Sequence, residues 1–200
     1  MDEKLDILIQ ADSRQSTLFF PLLEKGCRVD VSVGVTVREL LLTQFEEKST
    51  YVDNKIQTVF LNAKAIDDLD QTVINDGDVL ALSGAMPGLV GATFRKGGKY
   101  AVMRKEISGS KMATLSKQLP GRICLKLFNT ILKDLGPKVF AHGVWVSTAD
   151  LINLLIKGKK KFKDDLPPLF LNKTPSSPRN VIAAIKDQEQ CQLRIVSYQI

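Results

Sequence analysis

The chain has 200 residues, of which 44% are hydrophobic and 25% are charged, values that are typical of a globular protein and exclude a disordered or fibrous one. Its net charge is +6, but residues 1–90 carry 8 basic and 15 acidic residues, whereas residues 91–200 carry 20 and 7. Length and charge together predict two small domains, an acidic one over residues 1–90 and a basic one over residues 91–200.

The first residues differ from a signal peptide. The opening MDEKLDILIQ is acidic and its apolar run is short, whereas a signal peptide combines a basic start with a continuous apolar stretch. No apolar run of the sequence approaches the roughly 20 residues of a membrane span. We therefore expect a cytoplasmic protein without a membrane partner.

Strand patterns dominate the first 35 residues. LDILIQ predicts a strand, and STLFFPLLEK predicts a second, edge strand because Pro21 cannot donate to a sheet. In CRVDVSV the valines alternate with polar residues, which is the period of a half-buried strand. A helix pattern then begins after Thr36, the predicted N-cap, and Glu39 completes a capping box with it.

Two more strand patterns follow this helix. IQTVFLNAKAI predicts a strand, a turn at 62–63 and a second short arm, and the segment 79–82 predicts a strand after a turn at 76–77. The acidic loop at 67–70 between them is interpreted as a solvated turn. The whole pattern predicts an α+β domain with one crossover helix.

These elements carry a resemblance to a known family. Sulphur carriers have a phrase of the form V-N-G-K and then D-G-D-x-V-x-L before their last strand and a terminal Gly-Gly. The chain matches that phrase at Asn62, Lys64, Asp76, Gly77, Asp78 and Val79, with Ala63 where the carriers have glycine. Residues 5–84 thus resemble the ubiquitin-like β-grasp fold, and most closely the carriers of thiamine and molybdopterin synthesis. The resemblance implies a fold more than a function.

The segment AMPGLVG, residues 85–91, is uncharged and rich in glycine. It predicts a loop whose backbone lies close to a ligand, a partner or another part of the chain. It lacks the spacing of a phosphate-binding loop. The candidate partner or ligand residues are Met86, Pro87, Gly88, Leu89, Val90 and Gly91.

The pair Gly97 and Gly98 has two interpretations. The resemblance implies a processing site after Gly98, because the carriers and ubiquitin react through a terminal diglycine. The neighbouring residues instead predict a hairpin turn between strands GATFR and KYAVMRKEI, since glycine tolerates the positive φ angles of such a turn. Both interpretations stay open at this point.

The second half is predicted as an α+β domain with about three helices against a small sheet. RICLKLFNTILKDLG predicts a helix that stops at 136–137, a Gly-Pro pair, and VFAHGVWV predicts a strand broken at Gly143. STADLINLLIKGKKK, capped by Ser147 or Thr148, and NVIAAIKDQEQ predict two more helices, and CQLRIVSYQI predicts a closing strand. The sequence shows no evident internal repeat of the first half in the second.

A lysine cluster follows the second of these helices. It consists of Lys157, Lys159, Lys160, Lys161, Phe162 and Lys163. Lysines attract phosphates and an aromatic ring stacks on bases, so the cluster predicts a nucleic-acid patch. Lysines at the C-terminus of a helix also interact favourably with its dipole, so a solvated helix end is the alternative.

Few residues of the chain suit metal or redox chemistry. Cys27, Cys124 and Cys191 are odd in number and far apart, which predicts buried thiols and neither a disulfide framework nor a zinc site. No cofactor and no metal is predicted. The single histidine, His142, and the single tryptophan, Trp145, are candidates for a pocket between the two domains.

Three hypotheses for the function follow. The leading one is a non-catalytic binding or adaptor protein that uses its β-grasp and basic domains for protein or nucleic-acid contacts. The second is a sulphur-carrier-like or ubiquitin-like modifier precursor, processed after Gly98. The third is a ligand-binding protein or an enzyme with a site between the domains. The sequence has no GxSxG motif and no triad pattern.

Overall fold

A computed structural model describes residues 5–98, 118–162 and 167–197. The chain divides into two compact units: unit 1 consists of Met1–Cys27 and Gly136–Ile200, and unit 2 of Arg28–Leu135. Each unit has a net charge of +3, with 13 basic and 10 acidic residues in unit 1 and 15 and 12 in unit 2. This division differs from the predicted boundary at residue 90, which rests on charge and stays a prediction.

The elements of the first half include five strands. In chain order they are β1 (Asp6–Gln10), α1 (Ser13–Ser16), a 3-10 helix (Thr17–Phe19), α2 (Phe20–Lys25), β2 (Cys27–Val33), α3 (Val37–Thr43), α4 (Ser49–Asn54), β3 (Thr58–Leu61), β4 (Lys64–Ala65), β5 (Val79–Ser83) and α5 (Gly88–Phe94). The predicted strands LDILIQ, CRVDVSV, TVFL and VLAL are all confirmed.

The second half adds five more strands. In chain order its elements are β6 (Leu119–Phe128), α6 (Asn129–His142), β7 (Val144–Ser147), α7 (Thr148–Phe162), β8 (Leu169–Leu171), β9 (Thr174–Ser176), α8 (Pro178–Ile185) and β10 (Gln190–Val196). The mixed class of helices and strands agrees with the α+β prediction. With ten strands in the described residues, however, the protein has more sheet than the sequence pattern predicts.

The sheet of unit 2 has the strand order β4-β3-β5-β6-β2. β3 runs antiparallel to β4 and β5, and β5 runs parallel to β6. Between β2 and β3 the chain forms α3, whose start is fixed by Thr36: its hydroxyl oxygen accepts a hydrogen bond from Glu39 N at 3.1 Å. β6 also contributes the buried side chains Ile123, Leu125 and Leu127. The core of unit 2 therefore depends on a strand from the second half of the chain.

The sheet of unit 1 has the strand order β7-β10-β1-β8-β9. β1 runs parallel to β10 and antiparallel to β8, while β10 runs antiparallel to β7 and β8 antiparallel to β9. β1 places Ile7 and Ile9, both fully buried, in this core. The strand LDILIQ, which the resemblance assigns to an N-terminal β-grasp domain, thus belongs to unit 1.

The two halves of the chain have similar orders of elements. Each half contains a strand, helical structure, a strand, helical structure, a two-stranded hairpin and a last strand, in the order β1 to β5 and again β6 to β10. The helices differ, since α4 follows α3 only in the first half and α8 separates the hairpin from the last strand only in the second. The helix before the second strand ends at a left-handed glycine in both, Gly26 with φ 115° and Gly143 with φ 107°. The sequence shows no evident internal repeat because the two halves share few residues outside short motifs.

The shared motif FLN at 60–62 and 170–172 carries the best-matched geometry. Asn62 N donates to Val79 O and Val79 N to Asn62 Oδ1, both at 2.9 Å. Asn172 N donates to Asp6 O at 2.9 Å and Asp6 N to Asn172 Oδ1 at 3.0 Å. Each hairpin asparagine therefore pairs with the first residue of a neighbouring strand. That strand is β5 in unit 2 and β1 in unit 1.

Both hairpin turns use two consecutive positive φ angles. They are 50° and 64° at Asn62 and Ala63, and 48° and 68° at Asn172 and Lys173. Such angles define the tight two-residue turns that fit the twist of paired strands. The predicted turn at 62–63 is confirmed, and the alanine adopts the conformation for which the carriers have glycine.

Two predicted strands are wrong because capping and burial favour helices. STLFFPLLEK is helical: Asp12 caps α1 by accepting from Gln15 N at 2.6 Å, and Gln15 Oε1 accepts from Asp12 N at 3.1 Å. Pro21 lies in the first turn of α2, where a missing N–H costs nothing. The first four residues of GATFR lie in α5 and Arg95 is the C-cap of that helix, so the segment cannot be the first strand of a hairpin at Gly97. Its predicted partner, KYAVMRKEI, lies outside the described residues.

The predicted helix RICLKLFNTILKDLG is also corrected. Residues 122–128 belong to β6, with Ile123, Leu125 and Leu127 buried at the alternating period of a strand. The helix begins only at Asn129 and continues through the Gly-Pro pair to His142. An internal proline costs about 3 kcal/mol. Burial of Val139 and Phe140 after the proline offsets that cost.

A fragment that ends at Gly98 tests whether unit 2 needs β6, its strand from the second half of the chain. It lacks β6, the strand between β5 and β2, and with it three buried side chains, each worth roughly 1.5–3 kcal/mol. Because a domain of this size is stable by about 5–15 kcal/mol, we expect residues 28–98 not to fold in this fragment. The measurement is the dispersion of amide signals in a proton–nitrogen correlation spectrum.

The control for this experiment is the full chain with a protease site inserted after Gly98. After cleavage both fragments are present, so we expect the dispersed spectrum to persist. A dispersed spectrum from the fragment 1–98 alone would show that β6 is dispensable, and it would favour a modifier released at Gly98.

Candidate functional site

A groove between α7 and α8 in unit 1 is the best candidate for a binding site. Its volume is about 700 Å³. Leu155, Ile156, Pro178 and Ile182 form its apolar floor. The polar side chains at its rim are Lys159, Lys160, Ser177 and Arg179.

Helical spacing places the α7 side of the groove. Leu151, Leu154 and Leu155 are buried against unit 1, whereas Ile156 keeps 46% of its surface exposed. Residues four apart lie on the same face of a helix, so Lys159 and Lys160 follow directly above Leu155 and Ile156. The apolar floor therefore continues into two exposed lysines at the C-terminal end of α7.

The α8 side begins with a helix cap. Ser177 Oγ accepts a hydrogen bond from Asn180 N at 3.2 Å, and Pro178 occupies the first turn, where proline is favoured. Val181 and Ile185 are buried and hold the helix on unit 1. Arg179 and Ile182 consequently face the groove.

The groove combines apolar surface with a single sign of charge. Lys159, Lys160 and Arg179 are cationic, and none of the described residues that line the groove is acidic. Such a surface favours a ligand with both apolar groups and negative charge, because the apolar groups cover the floor and the negative charge neutralises the cations at the rim. The arrangement can bind and orient a ligand of this kind.

The structure separates the members of the lysine cluster. Lys159 and Lys160 line the groove, but Lys157 and Lys161 are exposed and do not. Phe162 is the last residue of α7, and Lys163 lies outside the described residues. Sequence reasoning found the two groove lysines, and it missed Ile156, Ser177, Arg179 and Ile182.

A second cavity, in unit 2, is polar. Its volume is about 450 Å³, and its lining consists of Arg38, Asp53, Asp67, Asp68, Leu69, Asp70, Lys96 and Gly97. Arg38 bridges two carboxylates, with Nη1 at 2.8 Å from Asp53 Oδ1 and Nε at 2.7 Å from Asp70 Oδ1. The hydrogen bond from Arg38 lowers the pKa of Asp53 below its usual value.

Lys96 and Gly97, at the Gly97–Gly98 pair, line this cavity and are held in place by hydrogen bonds. Lys96 N donates to Gln57 O at 2.7 Å, and Lys96 Nζ donates to Val52 O at 3.2 Å. Burial lowers the pKa of Lys96. Gly97 N donates to Asp67 Oδ1 at 3.0 Å, and Gly98 N donates to Arg95 O at 3.1 Å, which closes a turn. Processing after Gly98 stays a prediction.

The uncharged segment at 86–91 is a loop only at its start. Met86 and Pro87 precede α5, which begins at Gly88, so the predicted loop is corrected over 88–91. A Cβ atom at Gly91 would lie 2.1 Å from Met86 O, so the close backbone approach is to the chain itself. Leu89 is 66% exposed, and the side chain of Val90 lies outside the described part of the structure.

His142 and Trp145 both belong to unit 1 but do not line the α7–α8 groove. His142 is exposed at the end of α6, and Trp145 is half-buried on β7, opposite Gln192 of β10. Their role in a pocket between domains stays a prediction.

Cys27 and Cys191 are buried, as predicted, whereas Cys124 is partly exposed. Burial raises the pKa of Cys191 to about 12, so this thiol is not reactive near neutral pH. Within 5–98, 118–162 and 167–197, no group of three or more His, Cys, Asp or Glu residues is placed to hold a metal ion. None of the helices in these ranges has the length and apolar character that a membrane crossing needs.

Comparison with known proteins adds no relative to this geometry. Family models, curated proteins and solved structures give no match to the chain. The function is therefore argued from the site itself.

Sequence reasoning missed the groove because its two walls lie on separate helices, α7 and α8, whose packing on each other has no local signal. The signal for α8 was nevertheless present: in PRNVIAAI the buried residues Val181 and Ile185 are four apart, which leaves Arg179 and Ile182 on another face. Only the packing of α8 on α7 shows that this face meets Ile156 and the lysines.

Replacement of Arg38 by methionine tests the ion pairs of the polar cavity. We expect the pKa of Asp53 to rise toward its usual value of 3.8, because the hydrogen bond that favours its charged form is lost. A carboxylate with a lowered pKa stabilises the fold above pH 3.8 and loses this effect as the pH falls through its folded-state pKa. The stability difference between Arg38→Met and the natural protein should therefore shrink below that pH.

Carbon-13 chemical shifts of the Asp53 carboxyl group during an acid titration measure the pKa. The matched control is Arg38→Lys, which keeps the charge but not the planar group that reaches both carboxylates, so an intermediate pKa is expected. An Asp53 pKa that is equal in all three proteins would contradict the described geometry.

Proposed function

We propose that the protein is a non-catalytic binding or adaptor protein that binds an anionic, partly apolar ligand in the α7–α8 groove. The observation that supports this most directly is the composition of the groove, which has a volume of about 700 Å³: the described residues give it an apolar floor and three cations, with no acidic residue among them. Apolar contact supplies most of the affinity of such a site, and the cations select the sign of the ligand's charge.

The exposure of Ile156 supports the proposal. Isoleucine is among the residues most often buried, but here 46% of the side chain is exposed at the edge of the floor. Lys159 and Lys160 lie one helical turn further along α7, so a ligand that covers Ile156 comes within reach of both. The groove thus offers apolar and ionic contacts to the same ligand.

We further propose that unit 2 derives from a β-grasp domain. The support is the matching phrase at residues 62–64 and 76–79, together with α3 between β2 and the hairpin β3–β4. In this proposal β6 takes the place that the resemblance gives to an N-terminal strand, since it pairs in parallel with β5. The phrase itself forms the hairpin and the turn before β5, so it supports a fold and does not indicate a reaction.

The anionic, apolar dye anilinonaphthalene sulfonate tests the proposed groove. We expect its fluorescence to rise on binding to the natural protein. Ile156→Asp puts a charge on the floor, and the double variant Lys159→Glu/Arg179→Glu reverses the rim, so each should weaken dye binding by roughly tenfold.

The matched control is Lys157→Glu, which reverses the charge of an exposed lysine on the same helix that does not line the groove. It should bind the dye with nearly natural affinity. Equal binding by the natural protein, the floor variant and the rim variant would show that the dye binds elsewhere, and it would overturn the proposed function.

A further inference from the structure

The α7–α8 groove of unit 1 has a counterpart in unit 2. The segments 177–180 and 67–70 follow Asn172 and Asn62 at the same distance in sequence. Each of them borders a cavity, the α7–α8 groove in unit 1 and the polar cavity in unit 2. The repeated halves of the chain therefore place a concave surface after the same hairpin.

In unit 2 a distant segment of the same chain forms one side of that surface. Lys96 and Gly97 follow α5 and lie beside residues 67–70. The lysine donates to Val52 O, and the backbone N–H of Gly97 donates to the carboxylate of Asp67. The segment is also anchored by an apolar contact, because the ring of Phe94 lies 5.2 Å from that of Phe60.

The unit 2 surface is mainly acidic. It carries Asp53, Asp67, Asp68 and Asp70 around one cation, Arg38, which pairs with Asp53 and Asp70, and the segment beside it brings a lysine and the backbone N–H of Gly97. An apolar contact, a lysine and a backbone hydrogen bond thus hold this segment of the chain on a mainly acidic surface. This is the usual division of roles in the recognition of peptide segments.

In unit 1 the sign of the charge is reversed. The positions equivalent to Asp67 and Leu69 are Ser177 and Arg179, and the helix across the groove contributes Lys159 and Lys160. The floor is also more apolar, with Ile156 and Ile182 available for contact. A segment that fits this surface needs carboxylates where the unit 2 segment has a lysine, and aliphatic or aromatic side chains between them.

We propose that an acidic, amphipathic segment of a partner protein binds in the α7–α8 groove, in the way that Lys96 and Gly97 of this chain meet the counterpart in unit 2. This inference rests on the proposed function and specifies the ligand. Apolar side chains of the segment cover Ile156 and Ile182, and its carboxylates pair with Lys159, Lys160 and Arg179.

The floor of the groove favours a peptide over a nucleic acid. Bases stack on aromatic rings, but the described floor consists of leucine, isoleucine and proline. A phosphate backbone on the three cations would leave this aliphatic surface in contact with water. A peptide with apolar side chains buries the floor and neutralises the rim at once.

The test uses the full-length protein and a fluorescently labelled peptide. The peptide has about 18 residues, with leucines at helical spacing on one face and glutamates beside them. Two matched peptides replace every glutamate by lysine or every leucine by glutamine. Fluorescence anisotropy gives the dissociation constants.

We expect the acidic, apolar peptide to bind and each matched peptide to bind at least roughly tenfold more weakly. Lys159→Glu/Arg179→Glu should weaken the acidic peptide by a similar factor and strengthen the lysine peptide. Lys157→Glu, the control outside the groove, should change neither. The exchange of preference identifies these cations as the residues that select the charge.

Two results would overturn this inference without removing the proposed function. One is dye binding in the groove together with equal binding of the acidic and the lysine peptides. The other is displacement of the dye by a uridine oligonucleotide but not by the acidic peptide, with equal losses of oligonucleotide binding in Lys157→Glu and in Lys159→Glu/Arg179→Glu. The second result would identify a nucleic-acid surface over the lysine cluster.

Discussion

The parallel pairing of β5 with β6 is the constraint on which unit 2 depends. Without β6 the sheet would end at β5, and β2 would have no neighbour on that side within the unit. The pairing is supported by contacts with β2, since Arg122 Nε lies 2.5 Å from Asp30 Oδ1 and Gly121 packs closely on Val33. In unit 1 β1, from the first half of the chain, lies between β8 and β10, whereas β6 lies between β5 and β2 in unit 2. Each sheet therefore needs a strand from the other half of the chain.

The two halves share several features of the backbone but differ in the surface that they present to solvent. Both keep the hairpin asparagine and the left-handed glycine after a helix, because backbone geometry requires these residues. After the hairpin, unit 2 forms an irregular acidic loop in which Asp68 accepts from the N–H groups of Asp70 and Gln71. Unit 1 forms α8 there and has the longer helix α7. The difference involves buried residues as well as the surface, since Val181 and Ile185 of α8 are buried.

Local features of the fold were predictable from the sequence. The alternating valines of β2, the cap at Thr36 and the turn at 62–63 each depend on neighbouring residues only. The errors came from effects of the tertiary structure. Burial carries α6 through Pro137, and the apolar residues of β6 fit a helical period by chance although they alternate toward a core. The position of β1 in unit 1 has no local signal at all.

The candidate site was predictable only in part, for the same reason. Lys159 and Lys160 are visible as a charge run, but Arg179 and Ile182 become part of the site through the packing of two helices. The charge of the two halves predicts a boundary at residue 90, which stays a prediction, whereas the two compact units each carry a net charge of +3. The net charge of one half of the sequence therefore differs from that of a compact unit, because each unit combines segments from both halves of the chain.

The position of β1 has a consequence for the synthesis of the protein. β1 is synthesised well before its parallel partner β10, which comes near the end of the described chain. At 5–20 residues per second, roughly 10–40 s separate the two strands. During that time Ile7 and Ile9, which are buried in the folded protein, lack the paired strand β10. β1 is thus a part of the newborn chain that needs protection from aggregation.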